Sequence, residues 1–171
     1  MSAGQQNRVA VVMGSDSDLK IMESCMETLQ DLKIPYEMRI LSAHRTPKAV
    51  AEFVASFEEK GIRIVIAAAG MAAHLAGVMA GHTTRPVIGV PMTGGAFNGA
   101  DALLATVQMP RGVPVATLAV GKSGAVNAAV LAAQILALVD ADVDARVKAH
   151  RAKQTEKVLA KDTELRRSWP E

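Results

Sequence analysis

The chain has 171 residues, of which 50% are hydrophobic and 21% are charged, and its 19 basic and 17 acidic side chains leave a formal net charge of +2. This length and composition predict one folded domain, residues 1–171, and exclude a chain that is disordered throughout. The balanced charge argues against nucleic acid or an anionic membrane as a partner, because neither would meet a strong positive field.

The first ten residues carry neither the basic nor the apolar region of a signal peptide. No apolar stretch reaches the roughly 20 residues of a membrane span, so we expect a soluble, cytoplasmic protein. Cys25 lies among apolar residues at helical spacing, and we expect it to pack in the core. No His, Cys and carboxylate cluster has metal-ligand spacing, so we predict no metal site.

Short apolar runs rich in Val and Ile alternate with helical patterns along the chain. Five runs have the length of a strand: 9–13, 36–41, 62–68, 86–92 and 113–120. A helical spacing of apolar residues follows the first run, and a second helix is predicted between Pro47 and Gly61. This alternation predicts a three-layer α/β/α sandwich with a central parallel sheet, of the flavodoxin-like or Rossmann-like kind.

The segment 123–140 predicts a helix with almost no polar face. It has only three polar residues before Asp140, and such a helix is buried on all sides. Its many alanines permit close helix contacts, so we predict burial against other copies of the chain in a homo-oligomer. The segment 141–171, with eight basic and six acidic side chains, predicts a solvated peripheral helix. The core of the domain is therefore placed at about residues 8–140.

Polar or glycine-rich clusters follow each of the first four predicted strands. They are GSDSD at 14–18, SAHRT at 42–46, AGMAAHL at 69–75 and TGGAFNGAD at 93–101. In parallel sheets of this kind, ligands bind outside the carboxyl ends of the strands. We therefore predict one site that several loops build together.

The first cluster is compatible with binding a sugar phosphate. Gly14 permits a tight turn, and Ser15 could either bind a phosphate beside the N–H groups of a helix start or simply cap that helix. Asp18 would repel a phosphate but could accept hydrogen bonds from sugar hydroxyls. A phosphate and a ribose together indicate a nucleotide.

In the second cluster, Arg45 can bind a phosphate with its planar guanidinium, and His44 can exchange a proton near neutral pH. The alternative is that Arg45 binds backbone carbonyls and that His44 packs. His74, near a predicted helix start, either lines the same pocket or caps its own turn. AVGKSG resembles the end of a Walker motif, but Ala116 replaces the first glycine of that pattern.

Together these motifs resemble the class I N5-carboxyaminoimidazole ribonucleotide mutase family of purine biosynthesis. The resemblance runs in order from about Val9 to Leu138 and is carried by VVMGSDSD, SAHRTP, AGMAAHLAG, PVIGVPM and VQMPRGVPVATLAVGKSGAVNAA. It implies an isomerase without a cofactor, which moves a carboxylate from the exocyclic nitrogen of the aminoimidazole nucleotide to ring carbon 4. It also implies the three-layer fold and an octamer with active sites at subunit junctions.

The same resemblance assigns roles to individual residues. It implies that His44 is catalytic and that Ser15 and Arg45 contact the phosphate and Asp18 the ribose, while Ser42 and His74 match further substrate-binding positions. The chain also departs from the family pattern. Met71 stands where the family commonly has glycine and Ala76 where it has proline, so a local shift is expected at Met71 if that glycine permits a positive φ.

Two alternatives to the mutase remain. The first is a carboxylase on the same fold that uses free carbon dioxide; SAHRT and AAHL favour the mutase, because the resemblance gives the carboxylase lysine after the histidine. The second, more distant alternative is a flavodoxin-like nucleotide-binding protein. The chain has one Trp and one Tyr, which are few aromatic side chains for stacking on a flavin.

Overall fold

The computed structural model describes residues 8–169 and contains one five-stranded parallel sheet with helices on both faces. The strands are β1 Arg8–Met13, β2 Tyr36–Ile40, β3 Ile62–Ala69, β4 Val87–Pro91 and β5 Ala116–Thr117. The sheet order is β2-β1-β3-β4-β5, and each neighbouring pair is parallel. The predicted fold class is confirmed.

Across residues 8–169, six α-helices connect and extend these strands. They are α1 Leu19–Asp31, α2 Pro47–Ala55, α3 Leu75–His82, α4 Ala100–Val107, α5 Lys122–Ala137 and α6 Ala141–Ser168, and a short 3-10 turn, Asp16–Asp18, precedes α1. None of the helices within residues 8–169 is both long enough and apolar enough to cross a membrane.

Two apolar clusters fill the space on the two faces of the sheet. Along β1, Val9 and Val11 belong to the cluster beneath α1 and α5, whereas Ala10 and Val12 belong to the cluster beneath α2 and α3. Because both faces are covered, the central strands are apolar at successive positions. Cys25 is fully buried in the first cluster, as predicted, and burial raises the pKa of its thiol to about 12.

Two predicted elements are too long. Only Ala116 and Thr117 of the fifth predicted strand pair with β4, and Pro114, which has no N–H group for a sheet hydrogen bond, lies just before them. The helix α2 ends at Ala55, and the chain continues in turns up to Gly61, where φ is 66°.

The last two helices differ in burial. Alanines of α5 are fully buried against the rest of the chain, but Leu138 and Val139 just beyond its end are 84% and 81% exposed. Within one chain the predicted burial of this segment on all sides is therefore only partial. Apart from the half-buried Asp162, the helix α6 is exposed from Arg151 onward, as predicted for the tail. It is held near its start, where Arg146 Nε donates to the Leu32 carbonyl at 2.7 Å.

Candidate active site

The loops after β1, β2, β3 and β4 together enclose a cleft of about 630 Å³. A cleft of this size can hold a nucleotide. The polar side chains and glycines that line it are Gly14, Ser15, Ser17, Asp18, Ser42, His44, Arg45, Gly70, Thr93, Gly94 and Gly95. The four clusters that the sequence placed at one sheet edge therefore converge on one cavity.

The first loop is held against β3, because the Gly14 N–H donates to the Ala68 carbonyl at 2.9 Å. Ser15 caps the following 3-10 turn, since its Oγ accepts from the Ser17 N–H at 3.3 Å and from the Ser17 hydroxyl at 2.9 Å. The capping interpretation of Ser15 is thus correct, and the same side chain also lines the cleft. Capping and ligand binding do not exclude each other at this position.

Asp18 lies half-buried at the cleft wall, where the 3-10 turn leads into α1. Burial raises the pKa of its carboxyl above the ordinary value. Hydrogen bonds from Ser15 and Ser17 oppose this shift, and the neighbouring carboxylate of Asp16 adds to it. Asp18 is therefore a carboxylate that has lost part of its water and can gain from hydrogen bonds that a ligand donates.

Hydrogen bonds between Ser42 and Thr46 close the second loop. The Ser42 N–H donates to Thr46 Oγ1 at 2.9 Å, the Thr46 hydroxyl donates to the Ser42 carbonyl at 3.0 Å, and the Arg45 N–H donates to Ser42 Oγ at 3.1 Å. These bonds close the loop on itself and leave the side chains of His44 and Arg45 exposed at the cleft. Ser42 therefore shapes the loop as well as lining the cavity.

Arg45 joins the second loop to the first, because its Nη2 donates to the Gly14 carbonyl at 3.2 Å. This is the backbone contact that the alternative interpretation of Arg45 expected. It uses one of the five N–H donors of a guanidinium, and within residues 8–169 the side chain forms no other hydrogen bond. The remaining donors are available to an anion beside Ser15.

His74 lies next to His44. The distance between His44 Nε2 and His74 Nδ1 is 2.8 Å, and the rings meet edge to face with centroids 4.9 Å apart. His74 is the residue before α3, but its side chain forms no capping hydrogen bond, and it is not among the residues that line the cleft. The structure thus places it behind His44.

Met71 has a backbone that an L-residue rarely adopts, with φ at 55°. Met71 therefore has the left-handed conformation that glycine adopts most easily, and its side chain lines the cleft while the residue stays 62% exposed. It approaches the fourth loop, because a Cβ added to Gly95, where φ is 65°, would lie 3.3 Å from Met71 Cγ.

Residues 8–157 match a family model described as AIR carboxylase. The chain belongs to the AIR carboxylase family. It is 48% identical over 160 residues to the N5-carboxyaminoimidazole ribonucleotide mutase of Bacillus subtilis, a match that covers 94% of this chain and 99% of that protein. It is 50% identical over 152 residues to the Escherichia coli K12 protein of the same name, covering 89% and 90% of the two chains.

Solved structures agree with this AIR carboxylase family assignment. The crystal structure of Treponema denticola PurE superimposes with a TM-score of 0.84 at 30% sequence identity and covers 94% of this chain and 99% of that one. The resemblance drawn from the motifs is confirmed. Within residues 8–169 of this family member, no group of three His, Cys, Asp or Glu side chains could hold a metal ion.

Sequence reasoning missed some residues that build the site. Thr46 belongs to the SAHRT motif, from which no role for it is predicted, although its hydroxyl closes the second loop. Its spacing of four residues from Ser42 is a signal that could have indicated this, because Ser and Thr hydroxyls often bond to nearby backbone in turns. The contact of Met71 with the fourth loop was missed as well, and no local pattern reveals it.

Proposed function

We propose that this protein is an N5-carboxyaminoimidazole ribonucleotide mutase of de novo purine (IMP) biosynthesis. It would move the carboxylate from the exocyclic nitrogen to ring carbon 4 and so give 4-carboxy-5-aminoimidazole ribonucleotide. The observation that carries the proposal is that one cleft collects a histidine, an arginine, a serine and an aspartate from two adjacent loops. Relatives of nearly the same length, 48% and 50% identical, bear the mutase name and support it.

The proposed phosphate contacts are Arg45 and Ser15. The bond from Arg45 to the Gly14 carbonyl holds the guanidinium next to the loop that contains Ser15. A guanidinium presents several donors in one plane and is well suited to a phosphate. Asp18, which is half-buried and four positions beyond Gly14, would accept hydrogen bonds from the ribose hydroxyls. Ser42 would support Arg45 through the bond to its backbone N–H.

His44 is the proposed acid and base. Loss of carbon dioxide from the carbamate requires a proton on the exocyclic nitrogen, and recapture of carbon dioxide by ring carbon 4 releases the proton of that carbon. If one imidazole donates the first proton and accepts the second, the reaction consumes and releases no net proton. The exposed ring of His44 at the cleft supports this role. Because a proton donor and acceptor suffice, we propose that the reaction needs no cofactor.

The proposed assembly is a homo-oligomer, and an octamer is what the family resemblance implies. The oligomer is supported by the apolar side chains that a single chain exposes to water, which include Leu138, Val139, Phe97 and Leu104. Sedimentation or light scattering would measure the mass. We also propose a cytoplasmic location, because a phosphorylated biosynthetic intermediate does not cross membranes freely.

The test is an assay of the purified protein with N5-carboxyaminoimidazole ribonucleotide, and separately with aminoimidazole ribonucleotide and bicarbonate. Turnover of the first substrate at low bicarbonate is expected. Turnover only of the second pair would make the protein a carboxylase, the alternative that the name of the family model keeps open.

The His44→Asn variant is expected to bind the nucleotide but to lose about 10² to 10⁴-fold in turnover, the usual contribution of proton transfer. The matched control is His82→Asn, because His82 is exposed at the end of α3 and does not line the cleft. Near-normal turnover of the His44 variant would move the acid–base role to another residue.

A further inference from the structure

The contact between His44 and His74 joins a ring that lines the cleft to one that does not. Nε2 of His44 is engaged by Nδ1 of His74 at 2.8 Å. Within residues 8–169, Nδ1 of His44 has no hydrogen-bond partner in the protein. The structure therefore leaves one ring nitrogen of His44, and not the other, free for a ligand.

His74 is the better anchored of the two residues. Its carbonyl accepts from the Val78 N–H at 2.8 Å in the first turn of α3, and its own N–H donates to the Ala72 carbonyl at 2.8 Å. Its sequence neighbours Ala73 and Leu75 are both buried. His44 and His74 are both exposed, but within residues 8–169 the backbone of His44 makes no such hydrogen bond. In this pair the backbone of His74 is therefore the better held of the two.

The chemistry of the contact restricts the protonation of the pair. A hydrogen bond between two imidazole nitrogens needs one donor and one acceptor, so only one of these two nitrogens can carry a proton. When His44 acts as a base at Nδ1, its Nε2–H donates to Nδ1 of His74, which is neutral and carries its proton on Nε2. The hydrogen bond that one ring nitrogen makes sets the role of the other.

We propose that His74 is a positioning residue that holds His44 with Nδ1 toward the substrate, so that Nδ1 exchanges the protons of the reaction. The proposal rests on the mutase function argued above and makes it more specific. His74 would contact neither the substrate nor the reacting atoms. This differs from the substrate-binding role that the family resemblance suggested for it.

The kinetic test compares His74→Phe with His74→Asn. Phenylalanine keeps a ring without a hydrogen-bonding nitrogen, and it is expected to lower kcat about tenfold with KM within about twofold, the scale of one lost hydrogen bond. Asparagine offers an amide near the position of Nδ1 and is expected to recover most of that loss. A change in KM alone, or full activity of His74→Phe, would overturn the proposal.

A double variant separates an indirect role from an independent one. If His74 acts only through His44, the His44→Asn/His74→Phe protein is expected to be no slower than His44→Asn alone. A further tenfold loss in the double variant would overturn the proposal. Melting temperature and mass of each variant verify folding and assembly, and His74→Ala replaces His74→Phe if the latter does not fold.

A crystal structure of the His74→Phe protein tests the positioning without any activity assay. The His44 ring is expected to turn or to occupy more than one orientation, whereas it keeps one orientation in His82→Asn. An unchanged ring would overturn the proposal. If the wild-type protein has no mutase activity and the ring still moves, the proposed function fails while the positioning role stands.

Discussion

Met71 offers a test of how much backbone strain this cleft stores. It is one of three non-glycine residues within residues 8–169 that have a positive φ, and it is the one that lines the cleft. The family pattern commonly has glycine at this position. Replacing Met71 by glycine removes the steric conflict of the left-handed backbone and restores that pattern.

The expected size of the effect follows from two opposing contributions. An L-residue in the left-handed region costs about 1–2 kcal/mol relative to glycine. Glycine loses roughly 0.5–1 kcal/mol more conformational freedom on folding. The side chain of Met71 is 62% exposed, so its removal forfeits little buried area. The net gain in the free energy of unfolding is therefore about 0–1.5 kcal/mol, and at about 2–4 °C per kcal/mol the Tm rises by roughly 0–6 °C.

The assay is thermal unfolding of Met71→Gly and wild type at one protein concentration, because the Tm of an assembly depends on concentration. The matched control is Lys33→Gly. Lys33 has φ at 53°, is exposed just after α1 and does not line the cleft. Lys33 lies just past the helix end, a position where glycine is common, so the Lys33→Gly variant should gain a similar free energy of unfolding.

The two variants together decide the outcome. If Met71→Gly melts below wild type while Lys33→Gly gains, the contact of the Met71 side chain with the fourth loop near Gly95 stabilises more than the strained backbone costs. If both variants lose stability, the account of strain at positive φ is wrong for this protein.

Two further predictions concern stability. Asp18→Asn should raise the Tm at pH 7, because burial raises the pKa of Asp18 and the ionised carboxylate costs stability above that pKa. The gain should shrink as the pH falls through the raised pKa and vanish below the ordinary value of about 3.9, where the carboxyl is protonated in both states, and an equal gain at every pH would contradict burial as the cause. Gly124→Ala should lower the Tm, since the added Cβ would overlap the carbonyl oxygen of Ala119 and overpacking costs about 1–3 kcal/mol or more. Gly81→Ala, whose Cβ would meet nothing within 4 Å, is the control, and equal melting of the two alanine variants would refute the clash.

The alternation of apolar runs and helical spacings was enough to predict the layers of this fold. Both faces of a parallel sheet are covered, so the central strands read as apolar runs, as residues 9–13 of β1 and 64–69 of β3 do. The length of β5 could not be read in the same way. Its apolar run is long, but Ala116 and Thr117 form its ladder pairs with β4 and only the N–H of Leu118 adds a further bond, to the Gly89 carbonyl. Pairing depends on the neighbouring strand, which the local pattern does not contain.

The sequence predicts which loops form the site, but it does not predict which side chains touch each other there. Carboxyl ends of parallel strands meet at one edge, and that rule brings Ser15, Asp18, His44 and Arg45 into one cleft. The bond between His44 and His74 joins residues 30 positions apart. It depends on how far two loops extend over the sheet, and no spacing along the chain encodes that distance.

The strand order would couple the proposed phosphate contact to the proposed proton transfer. β1 lies between β2 and β3, so the GSDSD loop after β1 has the loops after β2 and β3 on its two sides. The adjacent residues His44 and Arg45 reach different neighbours, His74 of the β3 loop and Gly14 of the β1 loop. A phosphate bound by Arg45, as proposed, would also hold the backbone that carries His44. Binding energy from the non-reacting end of the substrate can in this way orient the imidazole at the reacting end.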